Sequence, residues 1–187
     1  MTSFRLGLSA ALIALLAFGA AAPATAQQMQ NLGTFKNWTA WKGTDANGEM
    51  CYISSQPQST APDGVRRSPI HFLIIHRQKV PVPNQAGQFV KAVNEVQSMF
   101  GYPLRDAPLP SATIDGKAFQ MMPEGEAAWL ASTADEPNFV AAMKAGSTLV
   151  VKGQSQRGTD TTDTYDLGGV TAAMDAVAQN CSWTQGV

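Results

Sequence analysis

Short segments of this chain alternate between hydrophobic and polar positions with the two-residue period of a β-strand. Glu49–Ser55 is an example: Cys51 and Ile53 fall on one face, and Met50 and Tyr52 fall on the other. Pro69–Val80 is the longest candidate and is apolar at nearly every position of its first half. We therefore predict that it forms a central strand, covered on both sides.

Other segments are predicted as strands by alternation or by their aromatic and β-branched residues. They are Phe35–Trp41, Phe89–Met99, Ala112–Ala118 with a turn at Asp115-Gly116, Phe119–Met122, Trp129–Ser132, Ser147–Lys152 and Thr164–Leu167. Phe89–Met99 also carries a helical stripe, but its alternation favours a strand. Asp45–Gly48 is predicted as a turn, and Gln56–Ser68 and Gly153–Asp163 are predicted as polar connections.

Two segments have the signals of short helices. Asp135-Glu136-Pro137 precedes Phe139–Ala145, with acidic residues and proline at the start and Gly146 at the end. Val170–Cys181 has apolar residues at i, i+3, i+4, i+7, i+8 and i+11, which form one helical face. The sequence thus predicts a mainly β fold, a β-sandwich or partly open barrel of about eight to ten short antiparallel strands, with the second helix C-terminal.

The first 26 of the 187 residues have the features of a cleaved signal peptide. Arg5 precedes the apolar run Leu6–Ala22, and Ala24-Thr25-Ala26 fits the small-x-small cleavage pattern. Cleavage between Ala26 and Gln27 would leave a single domain, residues 27–187. That domain contains no apolar run of the ~18–20 residues that a spanning helix needs. We therefore expect an exported protein without a transmembrane segment.

The charge of the chain excludes two classes of protein. It has 13 basic and 14 acidic residues, a formal net charge of −1. That balance excludes a polybasic nucleic-acid-binding protein, and the low charge content excludes a disordered polyelectrolyte.

The two cysteines, Cys51 and Cys181, are expected to form a disulfide in an exported protein. Cys181 shares the apolar face of the last helix, and Cys51 lies on an early strand, so the bond would join them. The alternative is a redox-active pair. The chain has no Cys-x-x-Cys, which favours the structural disulfide.

The two histidines do not predict a metal site. His71 and His76 are five residues apart, so in a strand they point to opposite faces. No other ligands show the usual zinc spacing. We expect one histidine to be half-buried and the other to lie at a strand end beside Arg77.

No catalytic or cofactor-binding residue is predicted. Gly153–Gly158 resembles a nucleophile elbow, but Arg157 occupies the position that needs glycine. Glu124 and Glu126 flank a glycine in a turn, where solvated carboxylates are common. Asp160, Asp163 and Asp166 do not match a calcium loop.

Two further groups could contact a partner. Trp38 and Trp41 differ in parity on their strand, so one should lie in the core and the other should be exposed or covered by a loop. Arg66-Arg67, with Arg77 and Lys79, could form a local basic patch or be simply solvated.

The chain resembles the invasion-associated locus B family of exported bacterial proteins. The resemblance rests on AAMKAGSTLVVKG at 141–153, Ser155, Arg157-Gly158-Thr159, Thr161–Tyr165, Leu167, Gly169, Gly101–Leu104, Ile114–Lys117, Trp38 and Cys51. It implies a periplasmic or surface-associated protein of a Gram-negative bacterium, with no established catalytic residues and a link to host-cell entry for some members.

These features lead us to expect a non-enzymatic protein of the periplasm or cell envelope that binds another protein or an envelope component. One alternative is an inhibitor-like module for an exported enzyme, acting through Gln56–Ser68 or Gly153–Asp163. A second alternative is an envelope hydrolase, which would need His71 or His76 in a pocket beside a carboxylate.

Overall fold

The computed structural model describes residues 29–184. The predicted signal peptide and its cleavage site lie outside the described residues. Among the described residues, no helix is both long and apolar enough to cross a membrane.

The described chain forms eleven strands and two α-helices. The strands are β1 Gln30–Phe35, β2 Trp38–Asp45, β3 Gly48–Ser55, β4 Ser59–Ala61, β5 His71–Pro81, β6 Phe89–Met99, β7 Ser111–Ile114, β8 Lys117–Glu124, β9 Ala127–Leu130, β10 Thr148–Gln154 and β11 Asp160–Asp166. The helices are α1 Glu136–Ala145 and α2 Val170–Asn180. Single 3₁₀ turns at Thr133–Asp135 and Ser182–Thr184 accompany them.

All neighbouring strands pair antiparallel in one open sheet with the order β1-β2-β3-β5-β6-β9-β8-β7-β10-β11-β4. Strand β8 belongs to both halves of this sheet. Its first half pairs with β7, where Ser111 lies opposite Gln120 and Ile114 lies opposite Lys117. Its second half pairs with β9. One strand therefore links the two halves by hydrogen bonds.

The two halves face each other across the core. Phe72 of β5 lies 5.8 Å, ring centre to ring centre, from Tyr165 of β11, which is next to the far edge of the strand order. The Trp38 indole N–H donates to the carbonyl oxygen of Asp166 at 2.9 Å, which joins β2 to the end of β11. Trp38, Phe72 and Tyr165 are fully buried, so the curled sheet encloses its own hydrophobic core.

Both helices pack on the core side of the sheet. Phe139 of α1 stacks on Phe72 with 5.8 Å between ring centres. The apolar face of α2 is buried through Val170, Ala173 and Val177, as its periodicity predicts. The helices thus complete the core that the open sheet leaves uncovered.

The prediction of a mainly β, antiparallel fold with two helices, the last of them C-terminal, is confirmed. Phe89–Met99 is a strand, as its alternation indicated. In β3, Cys51 and Ile53 are buried, whereas Met50 and Tyr52 are only half-buried, so its predicted faces are correct.

The prediction of a single strand over Phe35–Trp41 is wrong. β1 ends at Phe35 and β2 begins at Trp38, and Lys36, between them, has a φ of 54°. The chain therefore turns between Phe35 and Trp38, which pair across the hairpin. Aromatic and β-branched residues on both sides of the turn made the hairpin look continuous.

The two segments predicted as polar connections also contain strands. Within Gly153–Asp163, β10 continues to Gln154 and β11 begins at Asp160. Threonine side chains suit a pleated surface. Here the threonines of β11 pair with residues of β10 across the hairpin. Gln56–Ser68 contains β4, which pairs with β11 and forms one edge of the sheet.

Candidate functional site

The predicted disulfide is present: Cys51 of β3 is bonded to Cys181, directly after α2. Both cysteines are fully buried. Glu49 lies near the two sulfur atoms, and this is the one group of three metal-type ligands within mutual reach in the described part of the chain. Both sulfurs belong to the disulfide, so this group offers no free thiolate for a metal ion.

The structure places the two histidines on opposite sides of β5. His76, next to Arg77, is the deeply buried one, with 3% of its surface exposed. The backbone N–H of Asn94 donates to its Nδ1 at 3.2 Å, and its Nε2 has no hydrogen-bond partner among residues 29–184. His71 is half-buried at the start of β5. The expectation of His76 at a strand end is therefore wrong, because β5 continues beyond it to Pro81.

His76 lies at a groove of about 730 Å³ between the two helices and the sheet. Glu136 and Lys144 of α1 and Asp175 of α2 also line the groove. Burial, and then the nearby Lys144 charge, lowers the pKa of His76 to about 4. Burial, and then the Glu95 charge, raises the pKa of Glu136 to about 7. At neutral pH His76 is thus an uncharged group, and its Nδ1 is already occupied.

The low pKa of His76 predicts a pH dependence of stability. Since the unfolded chain binds a proton on His76 near pH 6.5 and the folded chain does so only near pH 4, folding is disfavoured as the pH falls through this range. We expect the free energy of unfolding to fall by about 3 kcal/mol more in the wild type than in His76→Gln between pH 7 and pH 4. Urea unfolding at pH 7, 5.5 and 4 measures the difference.

His71→Gln is the matched control, because burial lowers the pKa of His71 but leaves the residue half-exposed. It should retain most of the wild-type slope. Parallel stability profiles for the wild type and His76→Gln would contradict this assignment.

Arg67 and Asp163 form a buried ion pair that the sequence analysis missed. Their side chains are only 5% and 1% exposed. The Arg67 guanidinium donates to both carboxylate oxygens of Asp163, through Nη2 to Oδ1 and through Nη1 to Oδ2 at 3.0 Å. The Arg67 guanidinium lies 5.6 Å from the centre of the Tyr102 ring. The prediction of a basic patch or solvated charges is therefore wrong for Arg67, whereas its neighbour Arg66 is exposed. The loop before β5 folds back over β11, and no local sequence signal indicates that contact.

The acidic candidates do not come together in a site. Glu124 and Glu126 are exposed on either side of Gly125 in the turn between β8 and β9. On β11, Asp163 is buried against Arg67, and the other two aspartates of that spacing, Asp160 and Asp166, are exposed.

The side of the sheet opposite the core carries two rows of paired residues, which we call the outer face. One row runs through Trp41, Tyr52, Ile75 and Glu95. The other runs through Thr39, Ser54, Leu73, Gln97, Trp129 and Met122. Residues paired across antiparallel strands point to the same side, so each row forms a continuous line of side chains.

The outer face carries large apolar side chains beside polar ones, whereas a solvated sheet surface is normally polar. Met122 is 50% exposed, and Trp41, Tyr52, Leu73 and Trp129 are half-buried. Because both helices pack on the core side, neither of them covers these residues. The predicted difference between the tryptophans is confirmed, since Trp38 is fully buried and Trp41 faces outward.

A cleft of about 530 Å³ lies at one end of the outer face, and we call it the amide cleft. It is lined by Asn37, Thr39, Trp41, Ser54, Ser55, Gln56, Pro57, Gln58 and His71. None of these lining residues is acidic or a lysine or arginine. Burial lowers the pKa of His71, so this ring is neutral at pH 7 as well.

Comparison with protein families finds a match over part of the chain. Residues 118–178 match the family "Invasion associated locus B (IalB) protein". This IalB segment runs from β8 through most of α2 and confirms the resemblance over that range. Comparison with curated proteins and with solved structures finds no match.

The candidate surfaces lie partly inside and partly outside the IalB segment. Met122 and Trp129 of the outer face belong to it, whereas every residue of the amide cleft precedes it. The IalB match and the disulfide are both compatible with an exported protein.

Proposed function

We propose that this chain is an exported, non-enzymatic protein of the periplasm or cell envelope that binds an envelope component through the outer face of its sheet. The observation that carries the proposal is the row of Leu73, Trp129 and Met122, which the helices leave uncovered. Met122 is 50% exposed and Leu73 and Trp129 are half-buried. Apolar side chains left together at a surface mark interaction sites, and aromatic residues are enriched at the centres of such sites. A role in host-cell invasion is supported only by the name of the matching family.

The geometry of the histidines supports binding over hydrolysis. A general base needs a proton acceptor within hydrogen-bond reach of the substrate, oriented by a partner. His76 shares its groove with Glu136 and Asp175, as the hydrolase alternative requires, but its Nδ1 is occupied by a backbone N–H. Neither histidine is hydrogen-bonded to a carboxylate among the described residues.

The inhibitor-like alternative needs a protruding loop, and both loops considered for it are bound into the fold. Arg67 fixes the end of Gln56–Ser68 to β11, and β4 pairs along the same strand. Most of Gly153–Asp163 is the hairpin of β10 and β11. The outer face is therefore the better-supported contact surface.

Co-sedimentation of the full chain with isolated bacterial envelope fragments tests the proposal. We expect the wild type to sediment with the fragments and Met122→Lys to lose about ten-fold in affinity, because the lysine charge would have to be desolvated in the contact. Leu109→Lys is the matched control, since Leu109 is 37% exposed but lies in the loop before β7, outside the outer face.

Equal losses in both variants, or no sedimentation of the wild type, would contradict the proposed surface. Mass spectrometry of the soluble fraction tests the non-enzymatic part of the proposal. Envelope fragments released by the wild type but not by heat-unfolded protein would overturn it.

A further inference from the structure

We propose that the amide cleft binds a neutral saccharide. This inference rests on the proposed function, because it names the chemistry that one end of the outer face would recognise. The cleft volume of about 530 Å³ falls within the range of about 300–1,000 Å³ that is usual for ligand pockets.

Trp41 supplies a rigid aromatic surface in the cleft. Its indole N–H donates to the Ser54 hydroxyl at 3.1 Å, and its ring stacks on Tyr52 with 6.2 Å between centres and 23° between planes. A pyranose ring has an apolar face of C–H groups, and a fixed indole offers a large apolar surface to such a face at little entropic cost.

The polar groups of the cleft match sugar hydroxyls. A hydroxyl group both donates and accepts hydrogen bonds, and so do side-chain amides and hydroxyls. The amides of Asn37, Gln56 and Gln58 all line the cleft, and none of them is hydrogen-bonded to another described residue. These three residues are exposed, so their amides are available to a ligand without breaking internal contacts.

The neutrality of the lining argues against a charged ligand. An anion or cation that left water for this cleft would find no counter-charge among the lining residues. The two larger cavities differ in this respect. The groove at His76 contains Glu136, Lys144 and Asp175, and the cavity beside Tyr102 contains Arg66, Arg157 and Glu126.

Titration of the full, disulfide-bonded chain with neutral trisaccharides tests the inference, with backbone amide shifts in two-dimensional NMR as the readout. The probes are maltotriose, cellotriose and N,N′,N″-triacetylchitotriose, with trigalacturonic acid as the anionic comparison. We expect at least one neutral probe to shift resonances of cleft residues and to bind about ten-fold more tightly than the anionic probe.

Two variants locate the site. Trp41→Ala should weaken binding about ten-fold, whereas Phe89→Ala, which removes an exposed aromatic side chain at the start of β6 and outside the cleft, should not change it. Trp41 also packs on Tyr52, so Trp41→Ala removes a contact within the protein as well. Gln56 is exposed, so Gln56→Ala leaves the packing of the fold intact, and it should weaken saccharide binding several-fold. Equal losses in Trp41→Ala and Phe89→Ala, or an unchanged Gln56→Ala, would overturn the location.

Failure of the inference and failure of the proposed function are distinguishable. If none of the neutral probes shifts cleft resonances while envelope fragments still bind and Met122→Lys releases them, the saccharide inference falls and the binding function stands. If the anionic probe binds more tightly than every neutral one, the assigned ligand chemistry is wrong.

Discussion

Replacing Cys51 and Cys181 together by alanine will lower the free energy of unfolding by about 4–5 kcal/mol. The bond joins residues 130 positions apart, so it removes many of the conformations that the unfolded chain could otherwise adopt. It also fixes the end of α2 to β3, an element distant in the sequence. Urea unfolding of the variant and of the wild type, with and without reductant, measures the loss.

The reduced wild type is the internal control, since it breaks the same bond without changing a side chain. Reductant should destabilise the wild type by a similar amount and leave the double variant unchanged. A loss below about 1 kcal/mol in both experiments would show that the disulfide is not a main source of stability.

Asp163→Asn will destabilise the fold by about 3–5 kcal/mol, because it leaves the buried charge of Arg67 without its partner. Both side chains are almost completely removed from solvent, so water cannot take the place of the lost carboxylate. Thermal and urea unfolding at neutral pH provide the measurement.

The neighbouring arginine provides the control for this ion pair. Arg66 is exposed, and Arg66→Met should change the free energy of unfolding by less than about 0.5 kcal/mol. The double variant Arg67→Met/Asp163→Leu removes both charges and should recover much of the loss. If Asp163→Asn is as stable as Arg66→Met, the pair is not buried as described.

The fold class could be predicted from the sequence where local patterns and tertiary burial agree. Alternation alone assigned the faces of β3, and the periodicity of Val170–Cys181 placed α2 against the core. The pattern failed at Phe35–Trp41, where the turn at Lys36 has none of the usual Asn-Gly or Asp-Gly signals. It failed again at Gly153–Asp163, where polar threonines occupy strand positions.

The amide cleft and the buried ion pair could not be predicted, because each is built from segments that are distant in the sequence. The sequence identified Trp41 as the outward tryptophan of its strand, but its neighbours in the amide cleft come from a turn, from the segment after β3 and from β5. The ion pair of Arg67 with Asp163 spans 96 positions. Strand register brings such residues together, and register follows from the pairing of the whole sheet.

The position of the disulfide has a consequence for a protein that encounters proteases. Any single peptide bond cut between Cys51 and Cys181 leaves two fragments that remain covalently joined. The whole IalB segment lies between these cysteines. A nick in one of its exposed turns, such as Gly125 between β8 and β9, therefore opens the backbone without releasing either fragment.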